Sequence, residues 1–131
     1  MLRYAFFPEF KFDPTLLLWG DSADMAMLSD FLRQVAAAPG RTNLSGLGFC
    51  SAVGQTVMLL SKSESASSVR ILEKDGSLEW EIGVSEALKF ADMIDTLATS
   101  SRPGHHYLEC TSSSSITVMV SCGEYPADLR P

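Results

Sequence analysis

The chain has no apolar run approaching the roughly 20 residues a bilayer crossing requires, which argues against a membrane-spanning helix. Its opening stretch, MLRYAFFPEFKFDP, is too short and too interrupted for a signal peptide, because Pro8, Glu9 and Lys11 break the apolar segment. Together these absences predict a cytoplasmic protein with no membrane association. Cysteine is scarce: Cys50, Cys110 and Cys122 form an odd set without CxxC spacing, which argues against a disulfide framework. Positive charge is also in short supply. Ten Lys and Arg stand against 16 Asp and Glu, a formal net charge of −6. A phosphate backbone repels such a chain, so direct nucleic-acid binding is not expected, whereas a basic protein partner is attracted. Catalytic signatures are missing too. There is no G-x-S-x-G elbow, and the Gly46-Leu47-Gly48 loop lacks the lysine of a P-loop.

What remains is ordinary globular material. The 131 residues, 46% of them hydrophobic, predict one domain over 1–131 able to bury a core without staples. Internal similarity is the most informative feature. Trp19 matches Trp80, Asp30 matches Asp92, and Pro39-Gly40 matches Pro103-Gly104. Leu44 matches Leu108, and Thr56-Val57-Met58 matches Thr117-Val118-Met119. The shared order and near-constant spacing predict pseudo-repeats at about 3–62 and 68–125. The expected fold is α+β: duplicated ββαββ units forming an antiparallel sheet, with two helices packed on one face.

The second unit is the easier to read. Val69 to Lys74 and Leu78 to Ile82 flank Asp75-Gly76, a strong signal for a two-residue hairpin turn. That turn places Ile71 opposite Trp80 and Val69 opposite Ile82 on one face, with Arg70 opposite Glu81 and Leu72 opposite Glu79 on the other. A helix follows from about Ser85, the expected cap, to Thr99. It carries Val84, Leu88, Ala91, Ile94 and Ala98 at helical spacing, joined by Phe90, Met93 and Leu97. His105 to Cys110 and Ile116 to Ser121 then read as strands around a Ser-rich turn at 111–115. In the first unit Tyr4 to Phe12 alternates, with Phe6, Phe10 and Phe12 on one side; Pro8 marks an edge or a bulge, and Asp13-Pro14 is the expected turn. A strand at Leu16 to Trp19 leads into a helix capped by Asp21 or Ser22 and carrying Met25, Leu28, Phe31, Leu32 and Val35. Strands near Arg41 to Ser45 and Thr56 to Ser61 complete the unit around a Gly-rich loop, and Ser63 to Ser68 links the halves.

The candidate chemistry is thin. On a strand, His105 and His106 point to opposite faces and cannot easily chelate one ion. His106 with Cys110 and Cys122 has the donor chemistry of a zinc site but no motif spacing, so no metal and no cofactor is expected. Glu79, Glu81, Glu109, Asp92 and Asp95 read as solvated or ion-paired carboxylates. The sheet face away from the helices is the better clue. The expected register places Met58, Leu60, Leu72, Tyr107 and Met119 there among Arg70, Glu79, Glu81, Thr56 and Thr117. Methionine and tyrosine amid charges are common at protein interfaces. The candidate binding residues are therefore Met58, Leu72, Tyr107, Met119 and His105. A protein partner or self-association, a homodimer included, is expected to use them.

The stretch from Leu78 to Glu124 resembles parts of small bacterial immunity proteins of polymorphic-toxin systems. The likeness rests on Trp80, the helix Ala87 to Ala98, Gly104-His105-His106-Tyr107-Leu108 and Ser121-Cys122-Gly123-Glu124-Tyr125. It spans about a third of the chain. The resemblance implies a protein that binds and neutralises a cognate toxin without doing chemistry, and the acidic balance suits basic toxin partners. The expected function is thus a non-enzymatic protein-interaction module, immunity-like by that resemblance. The alternative is a small enzyme or a ligand- or metal-binding domain using the His105–Cys110 segment.

Overall fold

The computed structural model describes residues 1–38, 40–54, 57–111 and 116–131. Pro39, Thr56 and the turn residues 112–115, used in the sequence reading, lie outside the described residues. Among those described, two helices, α1 (Ser22–Ala37) and α2 (Val84–Thr99), accompany nine strands. The strands are β1 (Leu2–Phe10), β2 (Asp13–Gly20), β3 (Arg41–Asn43), β4 (Cys50–Ala52) and β5 (Val57–Lys62), then β6 (Val69–Lys74), β7 (Ser77–Ile82), β8 (Gly104–Tyr107) and β9 (Thr117–Cys122). A 3-10 turn spans Leu44–Gly46.

The fold is α+β, but the expected single antiparallel sheet is replaced by two mixed sheets. Sheet A has the order β4-β1-β2-β9-β8, and sheet B the order β3-β5-β7-β6. The pairs β1·β4, β2·β9 and β5·β7 are parallel. Each hairpin reaches across the chain: β2 pairs with β9 near the C-terminus, and β7 pairs with β5 from the first half. Alternating hydrophobicity specifies which face of a strand is buried, not which strand lies beside it, so the partner exchange had no local signature.

The larger core joins both sheets and both helices. Leu2, Tyr4, Leu16, Leu18, Val118 and Val120 of sheet A meet Met58, Leu60, Ile71 and Trp80 of sheet B around Met25, Leu28, Phe90 and Ile94. Trp80 stacks on Phe90 with ring centroids 6.3 Å apart. The β6–β7 register is the one the Asp75-Gly76 turn dictates, with Ile71 opposite Trp80 and Arg70 opposite Glu81. Both turn residues have positive φ, 52° and 79°, as a type I′ turn demands.

Two tryptophans that match in sequence do not match in place. Trp80 lies in the larger core, whereas Trp19 lies in a second cluster with Ala5, Phe7, Leu17, Val53 and Met119 on the opposite face of sheet A. The two helices begin after different spacings: Trp19 stands three residues before Ser22, and Trp80 four before Val84. An odd offset along a strand reverses the face, so the identity match pairs an outward residue with an inward one. The same slip affects Met58, inside the larger core, and Met119, inside the second cluster.

The helix starts differ in kind. Asp21 caps α1 and forms a reciprocal capping box with Asp24. At α2 the expected Ser85 cap is corrected to Gly83, whose own side chain contributes nothing. The linker carbonyl of Ala66 instead accepts from the Ser85 and Glu86 N–H groups, and from the Ser85 hydroxyl. The linker runs so close that a Cβ at position 83 would overlap the Ser65 and Ala66 carbonyl oxygens.

Candidate functional site

The interest centres on the end of sheet A where the β1–β2 turn meets β8 and β9. Pro8 sits within a register shift between Phe7 and Phe10, the bulge its missing N–H favours. The bulge also resets the alternation. Phe6 packs on the larger core, whereas Phe10 packs on the second cluster, so the two do not share a side as the unbroken pattern suggested. Phe10 pairs with Asp13, which leaves Lys11-Phe12 as a two-residue turn, not the expected Asp13-Pro14. Both turn residues have positive φ, 51° at Lys11 and 79° at Phe12. This is the backbone of the Asp75-Gly76 turn built from residues that disfavour it. Phe12, expected on a buried face, is 100% exposed at its tip.

A groove of about 440 Å³ opens beside this tip, with Phe10, Asp13, Thr15, Tyr107, Glu109 and Met119 among its lining residues. Lys11 also borders it, its ammonium 5.8 Å from the Phe10 ring centroid. The neighbouring Tyr125 side chain raises the Lys11 pKa. Tyr107 is 44% exposed and meets His105 edge-to-face at 5.4 Å. His105 Nδ1 lies 3.0 Å from both carboxylate oxygens of Glu124, and the Ser121 hydroxyl donates to the same carboxylate. Burial works to raise the Glu124 pKa, but the bonds from Ser121 and His105 outweigh it and hold the carboxyl below its ordinary value.

These contacts anchor residues 123–131 across the outer face of sheet A. The Gly123 N–H donates to Gly20 O, and Trp19 Nε1 donates to Pro126 O at 3.0 Å. Tyr125 packs edge-on to Phe10, and Leu129 packs on the second cluster.

The five sequence-derived binding residues therefore separate. Tyr107 and Met119 line the groove, and His105 stands beside Tyr107. Met119 borders the groove but is fully buried within the second cluster. Met58 is corrected to the larger core and is likewise fully buried, because its strand turns even-numbered residues inward. Leu72 lies on the outer face of sheet B beside Glu79, away from the groove. The residues missed were Phe12 and the Lys11 turn. The signal available was the two-residue gap between Phe10 and Asp13, which the Asp13-Pro14 pair obscured.

As chemistry, the arrangement offers little nucleophilic power. The Ser121 hydroxyl is spent on Glu124 and its residue is fully buried. Burial, followed by the nearby Asp24 charge, pushes the Cys50 thiol up to about 12, and burial first of all raises Cys122. Such thiols are not thiolates at neutral pH. His106 Nε2 lies 2.8 Å from the Thr96 hydroxyl on α2. Among the described residues no group of three or more His, Cys, Asp or Glu side chains converges to hold a metal ion. Nor is any helix among them long and apolar enough to cross a membrane. Compared with models of protein families, with curated proteins and with solved structures, the chain matches none.

Proposed function

We propose that this chain is a non-enzymatic protein-interaction module, immunity-like in role, which presents the Lys11-Phe12 hairpin tip and the neighbouring groove to a protein partner. The observation that carries the reading is Phe12: a large apolar ring, fully exposed, on a residue with φ of 79°. A left-handed conformation at a non-glycine residue costs roughly 1–2 kcal/mol. In the isolated domain no buried area offsets that cost. A strained, exposed aromatic beside a groove is what a binding anchor requires. We further infer that the two halves are duplicated ββαββ units. Two features support this: each half places a hairpin before its helix, and the second strand of each hairpin pairs parallel with the last strand of the other half.

The test is Phe12→Gly, which relieves the turn while removing the ring. Folding stability should stay level or rise, and affinity for the protein encoded beside this chain should fall at least tenfold. A neighbouring gene product that does not bind, or that binds the variant with unchanged Kd, overturns the proposal. Light scattering over a concentration series separates a foreign partner from a second copy, since only self-association makes the wild-type mass rise with concentration.

A further inference from the structure

Resting on that reading of the hairpin tip, we infer that the adjoining groove receives a basic side chain, an arginine, carried on an exposed segment of a cationic protein partner. Asp13 and Glu109 both line the groove and are exposed to solvent. Among the described residues neither has an ion-pair partner. Tyr107 supplies a half-open aromatic ring in the same wall. Carboxylates beside an aromatic ring suit a guanidinium better than an ammonium. Its planar fork bonds the carboxylate oxygens while its face lies on the ring.

Lys11 is the opposing charge, and its position indicates what the walls favour. Its ammonium sits over the Phe10 ring, so one wall of the groove already holds a cation against an aromatic ring. Two carboxylates against this one ammonium leave the described lining residues with one net negative charge. Thr15 and Thr117, opposite each other on paired strands, place two further polar residues in the same lining. The chain as a whole carries −6, so a cationic partner is steered toward it over longer range. An acidic or phosphorylated partner is disfavoured on both counts.

Substitutions at neighbouring positions of the groove should have effects of opposite sign. The probe is the tripeptide Gly-Arg-Gly, titrated into the intact chain at low salt and followed by amide chemical shifts, with Gly-citrulline-Gly as the uncharged isostere. Shifts should centre on Tyr107, Thr15 and Thr117, and the citrulline peptide should produce none of comparable size. Asp13→Asn with Glu109→Gln should weaken binding about fivefold to tenfold, the size expected for two exposed charge contacts. Lys11→Gln should strengthen it by about twofold or more by removing the competing ammonium. A purely structural role for these residues would not produce the opposed signs. Equal responses to the two peptides, or an affinity indifferent to all these substitutions, overturns the inference. The two proposals separate cleanly. A protein partner that needs Phe12 but ignores Asp13→Asn with Glu109→Gln sinks the arginine site and leaves the module standing. An arginine peptide seated here, with no partner that needs Phe12, does the reverse.

Discussion

The two sheets differ in what covers their outer faces. On sheet A the outward residues Ala5, Leu17, Trp19 and Met119 are apolar, and residues 123–131 lie across them. On sheet B the outward positions carry Arg41, Glu79, Arg70 and Glu81, joined as Arg41–Glu79 and Arg70–Glu81 ion pairs, with Leu59 and Leu72 half-buried among them. One face was made apolar and then needed a cover, while the other was made polar and paired. An interface was expected across one broad sheet face. The apolar half of that face is already occupied by the chain's own tail, and what stays open is the groove at its end.

Removing the cover should give the largest effect. Truncation after Cys122 would strip the tail from Trp19, Leu17 and Met119, and exposing some 200 Å² of apolar surface costs about 5 kcal/mol. The truncated chain should unfold at markedly lower denaturant or aggregate through sheet A. A denaturation midpoint matching the full chain would mean the tail is only draped over the face.

On sheet B the corresponding disruption should be smaller. Glu79 is buried with its carboxylate on Arg41 at 2.8 Å, while Arg41 is largely exposed. Arg41→Ala would leave the carboxylate without its partner, at a cost of about 1–2 kcal/mol. Pairing that change with Glu79→Leu should recover most of the loss, since an apolar residue there needs no counter-charge. Chemical denaturation of the single and double variants measures both. A double variant less stable than Arg41→Ala would show that the ion pair is worth more than its desolvation.

The same contrast explains how much the sequence disclosed. The β6–β7 hairpin was legible because Asp75-Gly76 admits one turn type, and the turn then fixes every pair. The first hairpin misled because Lys11-Phe12 adopts that backbone without the residues that announce it. Both helices were legible from their spacing, but not the start of α2, where a carbonyl from the linker does the work of a capping side chain. The matched tryptophans suggested equivalence because identity was compared without the face each strand turns inward. Of the candidate site, Tyr107, His105 and Met119 came together because they share adjacent strands. Phe12 was hidden by an alternation that the Pro8 bulge interrupts.

Acid should act through the groups that hold specific partners. Glu124, Asp95 and Asp21 all have carboxyl pKa values depressed in the folded state. Asp95 owes this first to Arg33, and Asp21 first to the Asp24 backbone N–H. A depressed folded value means stability that is fully present above the ordinary carboxylate pKa and lost as pH falls through the folded value. Unfolding free energy should therefore decline below about pH 4.5. Glu124→Gln should flatten part of that decline, and the Trp19 indole, tied to the tail beyond Glu124, should lose hydrogen-exchange protection in step. Indole protection unchanged between pH 6 and pH 3.5 would separate Glu124 from tail anchoring.

The smallest effect is the sharpest comparison, because it applies one substitution to the two tryptophans. Trp19 Nε1 donates to Pro126 O, whereas Trp80 Nε1 is buried without a hydrogen-bond partner among the described residues. Phenylalanine keeps an aromatic ring at either place but removes the indole N–H. At position 19 it deletes a made bond and leaves the Pro126 carbonyl to find water, a loss of about 1 kcal/mol beyond the change in ring size. At position 80 it deletes a donor whose burial is itself unfavourable, which returns about 1–3 kcal/mol against the cavity left by the smaller ring. Trp19→Phe should therefore destabilise the chain more than Trp80→Phe, although Trp80 sits in the larger core. Urea melts of the two variants decide it. A larger loss at Trp80 would mean that packing against Phe90 outweighs the unsatisfied N–H, and that the tail is held by apolar contact rather than by the indole bond.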